Sequence, residues 1–163
     1  MRYLEDRRYE VGSARRNMCT AYIEGWGLYS EYLGEEMGLY KTPYELFGRL
    51  SMEMMRAVRL VIDTGIHSKG WTLDYAIDYM MQKTGMHRHE VEVEVYRYAT
   101  WPGQATAYKI GEIALRRIRC YAEKELGSKF DVREFHDAVL KFGPIPLTSL
   151  ESVVEDFVKS KNK

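Results

Sequence analysis

"EVEVEVYRY", residues 90–98, decides the fold class. Its alternation has period two, the signature of a half-buried strand. The same residues also place Val91, Val95 and Tyr98 on one helical stripe. A strand needs a second strand to pair with, and no other segment offers one. The stretch therefore predicts a helix, and the chain an all-α, multi-helix fold.

The flanking segments carry helix punctuation. Thr72 can cap a short helix that ends at Gly85. Further upstream, "TPYE" puts Thr42 at an N-cap, Pro43 at the first helical position and Glu45 three residues after the cap. That is a capping box with a favoured proline, and its helix runs to about Ile66, where Gly65 and Gly70 mark the exit. Ser13 can cap a first helix reaching about Gly38. Downstream, Pro102 opens a helix that Gly127 closes. "DVRE" (Asp131, Glu134) and "TSLE" (Thr148, Glu151) read as two more capping boxes, with Gly143, Pro144 and Pro146 between the last two helices. No repeat, linker or low-complexity segment interrupts this series, so residues 1–163 read as one helical domain.

Composition narrows the function classes. The chain has 163 residues, with 24 Lys+Arg against 24 Asp+Glu and 45% hydrophobic residues. Zero formal charge argues against a general nucleic-acid or membrane-surface role, which needs a basic excess. No 18-residue apolar run exists, so no transmembrane helix is expected. "MRYLEDRRYE" has no signal-peptide core and reads as the inside of a longer chain. Cys19 and Cys120 read as reduced core thiols, with a single bridge left open. Tyrosines number 13 against 5 phenylalanines, so many rings are expected where a hydroxyl can reach water or a partner.

Three segments could carry chemistry. In "AYIEGWGLYSEYL", residues 21–33, Glu24 sits among apolar and aromatic neighbours and beside Gly25 and Gly27, each costing a helix about 1 kcal/mol relative to alanine. A carboxylate buried there needs a basic partner, a proton or a metal ion. In "RLVIDTGIHSKGW", residues 59–71, Asp63 and His67 share a helix face. Either Asp63 orients His67 as a functional histidine requires, or Asp63 simply pairs with Arg59. In "YRYATWPGQATAYKIG", residues 96–111, the Trp101-Pro102-Gly103 break can present backbone N–H groups to an anion, with Arg97, Tyr98, Gln104 and Tyr108 as nearby donors; the alternative is a well-made interhelix turn. "HRHE", residues 87–90, splays its histidines to opposite sides of a helix and is a poor metal site. No HExxH, CxxC, phosphate loop or GxSxG is present.

Taken in order, "YIEGWGLYSEYLGEEMGLY" (22–40), "RLVIDTGIHSKGWT" (59–72), "RYATWPGQATAYKIG" (97–111) and "FHDAVLKFGPIPL" (135–147) resemble the family called domain of unknown function 885. Its members are large helical proteins that look like zinc metallopeptidases, and the resemblance runs from roughly residue 14 to 157. It implies the C-terminal part of a gluzincin-like helical fold. An upstream HExxxGHH-like helix would bring two histidine ligands and the general base, and would be the natural packing partner. Glu24 would be the third zinc ligand, with Gly25 and Gly27 letting the histidine-bearing helix approach. His67 or Tyr108 would donate to an oxyanion. Arg97, with Gln104 beside it, would hold a peptide substrate's carboxylate. This chain lacks the upstream helix, so zinc and peptide hydrolysis are expected only of a longer form. The rival expectations are a non-catalytic binding module or pseudoenzyme of the same family, and a purely structural domain.

Overall fold

A computed structural model describes residues 19–162. Among them are seven α-helices and no strand: α1 Thr20–Glu36, α2 Pro43–Lys69, α3 Leu73–Lys83, α4 Arg88–Thr100, α5 Ala107–Leu126, α6 Val132–Leu140 and α7 Leu147–Lys161. Short 3-10 turns at Gln104–Thr106 and Gly127–Lys129 precede and follow α5. The proposed Ser13 cap lies outside the described residues. No helix among them is long and apolar enough to cross a membrane.

The alternating stretch is helical because its stripe has somewhere to go. Val91, Val95 and Tyr98 are all fully buried on α4 and pack with Ile62 of α2 and with Ala76, Ile77 and Met80 of α3. The capping box at α2 is complete: Thr42 Oγ1 accepts from the Glu45 N–H, and the Glu45 carboxylate accepts from the Thr42 N–H at 2.9 Å. Gly70 ends α2 with φ 68°, in the left-handed region that favours glycine. Thr72 caps α3 through the Tyr75 N–H, and Asp131 caps α6 through the Arg133 and Glu134 N–H groups.

Three local expectations are corrected. Pro102 does not open α5 directly. Gly103 takes φ 81° and a 3-10 turn intervenes, so the helix begins only at Ala107. "TSLE" is not a capping box, because α7 already starts at Leu147 with Pro146 at the cap position and Thr148 inside the first turn. Cys120 is an exposed free thiol rather than a core one, while Cys19, also free, is half-buried against the core.

The buried side chains form two separate clusters. One joins α1, α5, α6 and α7 around Tyr29, Leu115, Phe135, Leu150 and Val154. The other joins α2, α3 and α4 around Ile62, Ile77, Met80, Val95 and Tyr98. Each large side chain so buried contributes about 1.5–3 kcal/mol relative to exposure. Charged side chains from α2 and α5 run along the join. Glu53 of α2 meets Lys109 of α5 at 2.6 Å, Lys109 reaches Glu112 at 2.9 Å, and Glu112 reaches Arg116 at 3.0 Å. Glu112 is 1% exposed, so these partners are what make its charge tolerable there.

α1 lies against α5 at unusually close range. A Cβ built on Gly25 would stand 2.4 Å from Gly111 Cα. Gly25 therefore admits a helix of this chain, not the expected histidine-bearing one. Gly27 faces open space, with nothing within 4 Å of its would-be Cβ.

Candidate functional site

Arg59 is the centre of the most densely bonded polar cluster. It enters from α2, is buried, and donates from Nε to the Tyr98 hydroxyl at 2.8 Å and from Nη2 to Glu94 Oε2 at 2.8 Å. Its guanidinium lies 4.9 Å from the Tyr108 ring centre and 5.6 Å from that of Tyr98, within cation–π range. The Tyr98 hydroxyl in turn donates a hydrogen bond to Glu94 Oε2 at 2.5 Å. Arg97 completes the set, donating from Nη2 to the same carboxylate oxygen at 3.1 Å and from Nη1 to Gln104 Oε1 at 2.7 Å. One oxygen of Glu94 thus receives three donors.

The electrostatics follow from that geometry. Burial pushes the Glu94 carboxyl upward, but the hydrogen bonds from Tyr98 and Arg97 and the charges of Arg59 and Arg97 outweigh it and hold the group below its ordinary range. Burial and the hydrogen bond to Glu94 push the Tyr98 phenol well above its ordinary value, so it stays protonated as the donor. For Arg97, burial acts to lower the pKa, but pairing with Glu94 prevails and raises it.

His67 and Asp63 attach to the cluster without touching each other's functional atoms. His67 Nε2 lies 3.0 Å from the Tyr98 carbonyl oxygen. A carbonyl only accepts, so Nε2 carries the proton and a neutral ring leaves Nδ1 as a bare acceptor. The Tyr108 hydroxyl makes no hydrogen bond among the described residues and remains free to donate. Neither sequence alternative for Asp63 holds: its two oxygens both accept from the Gly103 N–H at 3.1 Å, and Arg59 pairs with Glu94 instead. The backbone break at Trp101-Pro102-Gly103 does hold an anion, and the anion is this chain's own carboxylate.

The structure thus brings His67, Arg97, Gln104 and Tyr108 around one Arg59–Glu94–Tyr98 core. It does not join Glu24 to them by any contact. Glu24 is half-buried on α1, next to the Gly25–Gly111 crossing, and Gly111 is one helical turn beyond Tyr108. Every other buried or half-buried carboxylate among the described residues has a partner, as with Glu31 to Arg56, Glu92 to Arg88, Glu123 to Arg119 and Glu151 to Arg117. Glu24 alone among them makes no hydrogen bond or ion pair. Nor do the described residues bring together three His, Cys, Asp or Glu side chains able to hold a metal ion; by themselves they do not fit a zinc site.

Sequence reasoning named Arg59 and Tyr98 but missed that they join Glu94 in one trio. Arg59 bonds to Glu94 and Tyr98 across 35 and 39 residues of chain, and no local spacing encodes such a pairing. It also missed a second cluster, in which Arg119 donates to the Tyr29 hydroxyl at 3.1 Å and to Glu36 at 2.8 Å while Tyr29 lies 2.9 Å from His136 Nε2.

A family model described as bacterial protein of unknown function (DUF885) matches residues 4–154. No curated protein matches. Among solved structures, one described as a "putative lipoprotein" from Colwellia psychrerythraea superposes with a TM-score of 0.86 and 46% identity, over 86% of this chain and 24% of that one. A second of the same description, of unknown function, from Shewanella oneidensis, gives a TM-score of 0.78 and 26% identity, over 83% of this chain and 25% of that one. The chain spans about a quarter of the length of each.

Proposed function

Since the chain belongs to the family described as bacterial protein of unknown function (DUF885), we propose that it is the C-terminal portion of a zinc-dependent peptidase with a gluzincin-like helical fold. Peptide-bond hydrolysis belongs to the longer form, and the 163-residue chain by itself is inactive. Glu24 supplies one carboxylate ligand. Two further protein ligands, which a catalytic zinc site requires, and the general base come from an upstream segment. Tyr108 donates to the substrate, and Arg97 with Gln104 holds its carboxylate end.

The observation that carries this reading is the unemployed carboxylate of Glu24. A half-buried charge without a partner is costly, and a cation brought by another segment would remove that cost. The reading is tested by calorimetric zinc titration of a longer form bearing the upstream histidine helix, with and without Glu24→Gln. Expected is a loss of zinc affinity of tenfold or more. Equal affinity in both proteins would remove Glu24 from the metal site.

A second reading, a non-catalytic binding module of the same family, is favoured by one observation. The fork of Arg97 is already engaged with Glu94 and Gln104, as in a structural brace. Peptide binding without hydrolysis by the zinc-loaded longer form would select it.

A further inference from the structure

α2 buries charged residues along one side of its first five turns and carries an apolar stripe on its outer side. Its charged residues point into the protein: Arg49 to Glu35 and Glu53, Glu53 to Lys109, Arg56 to Glu31, and Arg59 to Glu94. Met55, Val58 and Ile62 enter the core, but a second set of large apolar residues points out. Phe47 is 70% exposed, Leu50 46%, Met54 51% and Val61 40%, and Tyr44 beside them 87%. A helix that faced water on its outer side would show the reverse pattern.

The outward residues also have a definite spacing. With half-buried Ala57 among them, Phe47, Leu50, Met54 and Val61 follow one another at intervals of three, four, three and four. That is the a/d seam of a coiled coil, the surface one helix offers to another. It contains no charged residue. From Phe47 to Val61 it runs roughly 21 Å, four turns of a partner helix. Tyr44 and Phe47 alone leave on the order of 300 Å² to be covered, and with the aliphatic positions the stripe reaches the upper end of what monomers leave open.

We infer that this seam is the docking surface for an α-helix from the part of a longer protein that has no counterpart here. The solved Colwellia protein contains this fold as 24% of its chain, so about three quarters of that protein lies outside this unit and is the nearest source of an occupant, and the a/d stripe of α2 is helix-shaped and uncovered. The inference rests on the reading that the chain is one part of a larger body, and not on zinc or hydrolysis.

The test is co-expression of the 163-residue chain with the remaining part of the Colwellia protein, resolved by size-exclusion chromatography with light scattering. A one-to-one complex is expected. Phe47→Glu with Met54→Lys should lower its yield tenfold or more, while Val93→Lys, at an exposed position of α4, should leave it intact. The isolated double variant should melt no lower than the parent chain. The inference is overturned if no complex forms, if the double variant is captured as well as the parent, or if the double variant unfolds, which would place the stripe in this chain's own interior. A chain that is itself a dimer, dissociated by the double variant, would assign the seam to a second copy and also overturn it. A complex that forms and neither binds zinc nor cleaves peptides supports the seam and removes the peptidase reading.

Discussion

Gly25 of α1 and Gly111 of α5 meet backbone to backbone. A Cβ on Gly111 would stand 1.8 Å from the carbonyl oxygen of Ala21 and 2.7 Å from Gly25 Cα. These obstacles are main-chain atoms, which no rotamer change can move aside. Gly111→Ala must therefore push two helices apart and should cost about 3 kcal/mol or more, at the upper end of overpacking effects. Urea denaturation measures it. Gly27→Ala is the control: its Cβ would enter open space, and alanine in an exposed helix interior should stabilise by about 0.5–1 kcal/mol.

Glu94 gives a second expectation. Its carboxyl is held below the ordinary carboxylate range in the folded state. Its stabilising effect is therefore complete above the unfolded value of about 4.3 and is lost as pH falls through the lower folded value. Glu94→Gln should cost about 2 kcal/mol at neutral pH, because Arg59 is left buried with its charge unmatched. It should also flatten the acid limb of the stability curve, read from chemical unfolding at a series of pH values.

His136 gives an expectation of opposite sign. Burial, then the nearby Arg119, depress its pKa. Arg119 donates to the Tyr29 hydroxyl, which lies 2.9 Å from His136 Nε2, so an unprotonated Nε2 can take the Tyr29 proton as acceptor, whereas a protonated ring would add a second charge beside Arg119. Protonation is thus easier in the unfolded chain, and stability should fall as pH drops below about 6.5 towards the folded value. The groups around the ring are Tyr29 and Glu36 of α1, Arg119 of α5 and Asp137 of its own helix. Tyr29→Phe removes the donor, so an NMR titration should show the His136 pKa rising towards its ordinary value. The unpaired partners should cost about 1–2 kcal/mol.

Glu24 should contribute no stability to the 163-residue chain. With no hydrogen bond or ion pair to lose among the described residues and a half-buried charge to relieve, Glu24→Gln should leave the unfolding free energy unchanged or raise it by up to about 1 kcal/mol. A loss of 2 kcal/mol or more by thermal or urea unfolding would reveal a structural role for the carboxylate.

The helices were legible where the signal is local. Thr42 with Glu45, Thr72 and Asp131 cap as their spacing predicts. Residues 90–98 are helical because an i, i+4, i+7 stripe found a core to enter, which alternation alone does not convey. Local chemistry misled at Thr148, where Pro146 starts the helix earlier, and at Pro102, where Gly103 needs a left-handed turn before α5 can begin. Four of the five proposed site residues share one cluster, since motif residues on α2, α4 and α5 are carried to one place by packing. Of the residues that hold them there, Arg59 read as a possible partner of nearby Asp63 and Glu94 stood in the charged alternating stretch, because the pair they form spans 35 residues of chain.

Two hydrophobic clusters joined by charged side chains make the molecule respond unevenly to its surroundings. The Glu53–Lys109 contact at the join is largely buried and is screened little by salt, but acid that takes the pH down through the depressed Glu53 carboxyl removes it while leaving both oily interiors nearly untouched. Denaturants that solvate apolar groups do the reverse. Amide protection measured as the pH is lowered should therefore be lost first along the facing sides of α2 and α5, and the α3–α4 half should then open as a unit distinct from the α6–α7 half.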